Sequence, residues 1–260
     1  MNKKILNQIA NQMVADSKGI LAIDESHGTC KKRFDALNIE VTEENRRSYR
    51  DMLVTASSLT KYISGAILFD ETIKQSTSQG ISFPDYLDKI GIIPGIKVDA
   101  GAKPFPCHPN EKITEGLDDL PRRMEEYKSL GAKFAKWRAV ITIGDSIPSN
   151  ACMIANSHAL ARYASICQEV DIVPIVEPEV LMDGTHDIQK CFDVTNATQS
   201  ILFETLDKLN VDLSGIILKP NMISSGTSCE KKSSSEEIAE LTVKCLSPFH
   251  LQNQFFQMLL

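Results

Sequence analysis

Six short apolar runs rich in Ile, Val and Leu recur along the chain, each followed by a longer segment. They are KGILAID (18–24), SGAILFD (64–70), IIPGIKVD (92–99), KFAKWRAVITI (133–143), DIVPIVEP (171–178) and SGIILKPN (214–221). Continuous apolar stretches this short suit strands buried on both faces, as in a parallel sheet. Their spacing of roughly 30 to 45 residues leaves room for a crossover helix between successive strands. The segments 46–62, 117–130, 149–170 and 198–210 carry apolar residues every three or four positions, so each reads as a helix. A short helix is expected at the start, where Ile5, Ile9 and Met13 recur. A last one is expected from about Glu236 to Leu246, after the polar stretch 229–237. Strand–helix alternation of this kind points to an α/β architecture, either doubly wound or a barrel. No linker divides it.

Composition narrows the function classes. The chain has 260 residues, 42% hydrophobic and 24% charged, with a net charge of −6. That is a globular profile, and a closed α/β barrel of roughly 250 residues would fit as one domain. Mild acidity argues against nucleic acid as a partner, because phosphate backbones need a basic face. Small phosphorylated ligands need only local cations. Seven scattered cysteines without a Cys-x-x-Cys pair fit neither a disulfide framework nor a zinc site and point to a reducing compartment. Cys107 and His108 are neighbours in a proline-rich loop, which does not make a metal site. Asn7, Gln8, Asn11 and Gln12 interrupt any signal-like apolar region at the start. With no apolar stretch of about 20 residues, a cytoplasmic protein away from membranes is expected.

Ionisable residues gather where the apolar runs end: Asp24, Asp70, Lys97 with Asp99, Lys136 with Arg138, Glu177 with Glu179, and Lys219. Side chains alternate along a strand, so Lys136 and Arg138 share a face, as do Glu177 and Glu179. Trp137 points the other way, towards the helices. In a parallel barrel the carboxyl ends of all strands meet at one rim. A free lysine, with a pKa near ~10.4, is a poor nucleophile. Desolvation and neighbouring cations lower that pKa. Such an amine attacks a ketone and forms an iminium, an electron sink, while nearby carboxylates shuttle protons. Lys219 follows Ile216-Ile217-Leu218, with Lys97, Lys136 and Arg138 available as cations. The plainer alternative is structural ion pairing with Asp24, Glu177 and Glu179. Spacing does not choose between the two.

Five segments carry a resemblance: GILAIDESHGTCKKRF, PGIKVDAG, KFAKWRAV, PIVEPEVLMDGTHD and ILKPNMISSG. In order and spacing they resemble the class I (Schiff-base) fructose-bisphosphate aldolases, over about residues 5 to 246. The resemblance implies a TIM-type (β/α)₈ barrel. It also implies the reversible, metal-free and cofactor-free cleavage of fructose 1,6-bisphosphate into dihydroxyacetone phosphate and glyceraldehyde 3-phosphate. By the same resemblance Lys219 matches the Schiff-base lysine. Glu177 matches the proton shuttle for carbinolamine dehydration and for the C4 hydroxyl, and Glu179 its partner carboxylate. Asp24 matches the aspartate orienting the C4 hydroxyl and the imine. Lys136 matches the lysine beside the nascent imine. Lys97, Arg138, Thr29 (where the family commonly has serine) and Arg33 match substrate-binding groups for a phosphosugar. The family is commonly tetrameric, so a homo-oligomer belongs to the expectation. His27 receives no role, and Ser26 or Thr29 reads as a helix cap.

The sequence departs from the family after Lys219. Two more strands, bearing a serine with paired glycines and then a glycine–arginine element for a phosphate, do not follow, nor does a terminal tyrosine. Two further units would need roughly 80 residues. From Cys245 onward there is no Asp, Glu, Lys or Arg. The expectation is therefore an incomplete barrel of about six β/α units over 1–246, with a divergent uncharged tail at 247–260 from an interrupted reading frame. Six strands would leave two exposed edges, unless the tail or a second chain covers one. On that view turnover is impaired, and the alternative function is a non-catalytic remnant or binding protein. An aldolase acting on another phosphosugar is less consistent with the AKWR and VEPE contexts.

Overall fold

Every one of the six apolar runs forms a strand in the computed structural model, which describes residues 1–252 and 257–258. The strands are β1 (Gly19–Ala22), β2 (Ile63–Leu68), β3 (Ile93–Lys97), β6 (Phe134–Ile141), β7 (Val173–Val180) and β8 (Ile217–Leu218), and they pair in parallel in that order. A small antiparallel hairpin, β4 (Ala102–Pro104) with β5 (Lys112–Thr114), is inserted after β3. The helices are α1 (Lys3–Met13), α2 (His27–Asp35), α3 (Glu43–Val54), α4 (Leu59–Tyr62), α5 (Asp70–Ile73) and α6 (Phe83–Lys89). After them come α7 (Leu120–Ser129), α8 (Asn150–Glu169), α9 (Ile188–Lys208) and α10 (Ser235–Gln252). Seven of these helices open on a side-chain cap. Asn2, Ser26, Thr42, Ser82, Ser149, Asp187 and Ser234 each accept a hydrogen bond from a main-chain N–H in the first turn.

Strand alternation sorts the core into two layers. On β6, Phe134, Lys136 and Arg138 share one face, as do Val173, Ile175, Glu177 and Glu179 on β7, and Ile217 with Lys219 at β8. The apolar members of that face, Phe134, Val173, Ile175 and Ile217, pack with Ile67 against Leu6, Ala10 and Met13 of α1. α1 therefore closes the sheet beneath the charged side chains. The opposite parity (Leu68, Ile96, Trp137, Val176 and Leu218) packs with the helices, including Leu160, Tyr163 and Leu202. Trp137 is fully buried there, stacked on Tyr163 of α8 with centroids 5.5 Å apart. The aromatic ring packs under the helices, as its alternation predicts.

Several predicted boundaries are corrected. The helix expected over 46–62 is two, α3 and α4, separated at Thr55–Ser58, where small polar residues offer the backbone competing hydrogen bonds. The helix expected at 198–210 begins ten residues earlier at Ile188, because Ile188, Cys191 and Val194 already face the core. The last helix runs past Leu246 to Gln252, through Pro248, and buries Phe249 stacked on Phe203 at 5.3 Å. Beyond it, β9 (Gln257–Met258) pairs in parallel with β8. Among the described residues the six predicted strands thus gain β9 as a seventh, and part of the expected tail covers the edge beyond β8. At the other edge, β1 pairs only with β2 among the described residues. The rest of the expected tail, 253–256 and 259–260, lies outside the described residues.

Candidate active site

The carboxyl ends of β1, β3, β6, β7 and β8 open into one cavity of about 820 Å³. All nine residues predicted for the site border it: Asp24, Thr29, Arg33, Lys97, Lys136, Arg138, Glu177, Glu179 and Lys219. A second cavity of about 790 Å³ lies among Ile5, Ile9, Gln12, Lys18 and Lys133, at the amino ends of the strands, and has none of these groups. Of the two other strand-end charges, Asp99 also borders the cavity, whereas Asp70 turns away from the rim. It accepts hydrogen bonds from Tyr127 at 2.8 Å and Lys74 at 2.9 Å.

Glu177 lies at the centre of the arrangement. Its residue is only 2% exposed, and its two oxygens divide between two lysines: Lys219 donates to Oε1, while Lys136 Nζ lies 3.5 Å from Oε2. Lys136 is also bound to Asp24, with Nζ 3.1 Å from Oδ2. The result is a chain, Asp24–Lys136–Glu177–Lys219, drawn from β6 and β7 and from just beyond β1 and β8. Burial disfavours the charge on Lys136, but Asp24 and then Glu177 outweigh it and hold the pKa above the ordinary lysine value. Lys136 is therefore a permanent cation at neutral pH. Lys136 and Glu177 are carried on paired strands. Trp137, in sequence between Lys136 and Arg138, anchors β6, and β6 is in register with β7 along eight residues, Arg138 opposite Glu177.

The remaining groups form a rim. Arg138 Nε donates to Glu179, and this partner raises the arginine pKa although burial opposes its charge. Lys97 Nζ is 2.6 Å from Asp99 Oδ1. That same aspartate accepts from the Gly101 N–H at 3.0 Å, which fixes the loop leaving β3. On α2, Thr29 Oγ1 is 3.2 Å from Ser26 Oγ, and Ser26 caps the helix, as its position in the DES turn predicts. Arg33 donates to Glu25 and, at 3.2 Å, to the Tyr49 hydroxyl. His27, given no role from sequence, sits 3.4 Å from Glu71.

Sequence reading missed Glu25. It borders the cavity, is buried to 8% side-chain exposure, and also accepts from Tyr49 at 3.1 Å. The signal available was its place beside Asp24, whose alternation sends the two carboxylates to different partners. Two lysines joined through a buried glutamate, at the carboxyl ends of parallel strands, define a class of α/β-barrel proteins whose rim suits amine–carbonyl chemistry.

Comparison with known proteins makes this specific. Residues 5–249 match the family described as glycolytic fructose-bisphosphate aldolase class-I. A probable fructose-bisphosphate aldolase class 1 of Xanthomonas axonopodis pv. citri is 58% identical over 246 residues, which is 95% of this chain and 74% of that protein. Fructose-bisphosphate aldolase 1 of Toxoplasma gondii is 49% identical, covering 94% of this chain and 68% of its own length. Among solved structures, the fructose-bisphosphate aldolase of Plasmodium falciparum, in a ternary complex with TRAP and a small-molecule inhibitor, superposes with a TM-score of 0.92 at 46% identity. That alignment covers 94% of this chain and 71% of that one. The chain belongs to the class I fructose-bisphosphate aldolase family, carbon–carbon lyases of glycolysis that act through a lysine Schiff base on a phosphosugar.

Proposed function

We propose that this chain catalyses the reversible cleavage of fructose 1,6-bisphosphate, with Lys219 as the imine-forming lysine. The observation that carries this reading is Glu177 joining Lys219 to Lys136. Lys219 passes a proton to Glu177, its hydrogen-bond partner, and the neutral amine adds to the C2 carbonyl of the open-chain sugar, giving a carbinolamine. Glu177 protonates its hydroxyl, which leaves as water, and the iminium forms. Glu177, now ionised, takes the proton of the C4 hydroxyl as the C3–C4 bond breaks. The bonding pair flows into the iminium to give an enamine, and glyceraldehyde 3-phosphate departs. Protonation at C3 and hydrolysis of the imine release dihydroxyacetone phosphate and restore Lys219.

Asp24 orients the C4 hydroxyl and holds Lys136 at the nascent imine, where a cation favours an uncharged Lys219. Glu179, paired with Arg138, balances charge along the rim. Lys97, Arg138, Arg33 and Thr29 bind the phosphosugar, each already held by a local partner. The barrel-like unit is taken as 1–246, with 247–260 divergent, and the end of the family match at residue 249 supports a boundary nearby. A cytoplasmic setting suits the glycolytic family, and among the described residues no helix is long and apolar enough to cross a membrane. Self-association is proposed from the family's habit alone.

The test is a coupled cleavage assay on the purified, folded chain. Turnover that disappears in Lys219→Ala is the expected result. A second reading, a non-catalytic remnant, draws on the open sheet edge at β1. A folded chain without turnover would favour it.

A further inference from the structure

Arg50, on α3, has none of its side chain exposed. A guanidinium in that position is heavily penalised unless its donors are taken up. Carboxylates are near but outside hydrogen-bonding distance: Glu71 Oε2 is 3.8 Å from Nη1 and Glu25 Oε2 is 4.0 Å from Nη2. The hydrogen bonds go instead to main chain from two of its nitrogens, with Nη2 also 3.6 Å from Cys30 Sγ, while Nη1 makes none. Nε donates to the Ile23 carbonyl at 3.2 Å and Nη2 to the Glu25 carbonyl at 2.8 Å. The first carbonyl belongs to the peptide entering Asp24 and the second to the peptide leaving Glu25. One planar fork therefore clamps the two-residue step between them. The Ile23 N–H is tied to the Ile67 carbonyl of β2 at 3.1 Å, so the clamp bears on a fixed sheet.

We propose that Arg50 is a positioning residue that acts on the imine chemistry through Asp24, by holding the Asp24–Glu25 backbone so that the Asp24 carboxylate reaches Lys136. This rests on the role given to Asp24 above. A lysine at position 50 keeps the charge and stem but lacks the fork that spans two carbonyls. Backbone release at Asp24 would let Lys136 turn wholly to Glu177, the group that Lys219 needs.

The experiment is a double-mutant cycle on the full chain. It uses wild type, Arg50→Lys, Asp24→Asn and the double variant, each with a thermal melt. The readout is the initial rate at which dihydroxyacetone phosphate is reductively trapped on Lys219. Arg50→Lys is expected to slow trapping about tenfold when Asp24 is present, and less than about twofold in the Asp24→Asn background, because the two act as one unit. Equal losses in both backgrounds, or no loss in either, overturn the proposal while leaving Asp24 in its role. A wild-type rate in Asp24→Asn removes Asp24 from the chemistry and the proposal with it. Where Arg50→Lys fails to fold, Arg50→Gln carries the same cycle. Failure of both to fold assigns Arg50 to stability alone and overturns the positioning role.

Discussion

Glu177→Gln lowers the rate of fructose 1,6-bisphosphate cleavage by roughly 10²- to 10⁴-fold, the usual contribution of a positioned acid–base group, with a much smaller change in KM. Glutamine has the volume and hydrogen-bonding reach of glutamate, so Lys219 and Lys136 keep a shared neighbour. It cannot carry a proton between the carbinolamine hydroxyl and solvent, nor accept one from the C4 hydroxyl. Both steps use the same buried carboxylate, so one substitution slows both. Steady-state rates measured by coupled assay check this. A variant within about tenfold of wild type would place the proton transfers elsewhere on the rim, with Glu179 or Asp24 as the next groups to replace.

The second large effect is on stability. Gly95 of β3 stands opposite Phe134 of β6 in the parallel register, and the Phe134 ring lies flat over it. A Cβ at Gly95 would come within 2.3 Å of two ring carbons and 2.5 Å of a third, and one at Gly65 of β2 would be 3.1 Å from the same ring. Phe134 is fully buried in the layer under the charged cluster, with α1 below it, so it has nowhere to move. Gly95→Ala is therefore expected to cost about 3 kcal/mol, the upper end of ordinary overpacking. That corresponds to a fall in Tm of roughly 6–12 °C for a chain of this size. Phe134→Leu in the same chain should recover part of the loss, although alone it destabilises. Additive losses in the double variant would show that the ring is not the obstacle.

The strands and their charged ends were legible because each is a continuous apolar run closed by an ionisable residue. In a sheet covered on both faces, nothing else reads that way. Which of those charges meet was less legible. Asp24 and Lys136 are far apart in sequence, and only the parallel order of the strands brings them to 3.1 Å. The resemblance supplied that grouping. Periodicity offered ion pairing and imine chemistry equally.

The parts that escaped have local physical reasons. α6 has seven residues opening on Phe83 and Pro84. It is too short to show a stripe, and α2, signalled by its cap at Ser26, buries only Cys30 and Phe34. The hairpin strands β4 and β5 have three residues each. The start of α9 mixes Gln189, Lys190 and Asp193 with its core residues, which hides its period. β9 was unreadable because its two residues are strand only by virtue of the β8 edge beside them. Arg50 was hidden for the opposite reason: a charged residue in a helix reads as solvent-facing, and only the three-dimensional structure turns it towards Ile23 and Glu25.

The central claim is that Lys219 is the amine that forms the imine. Treating the folded chain with dihydroxyacetone phosphate and borohydride, then mapping the modified peptide by mass spectrometry, tests it most directly. The expected result is one reduced adduct, on Lys219, and none on Lys136 or Lys97, which are held by Asp24 and Asp99. An unmodified Lys219 in a folded sample, or an adduct on either of the other two lysines, would contradict it.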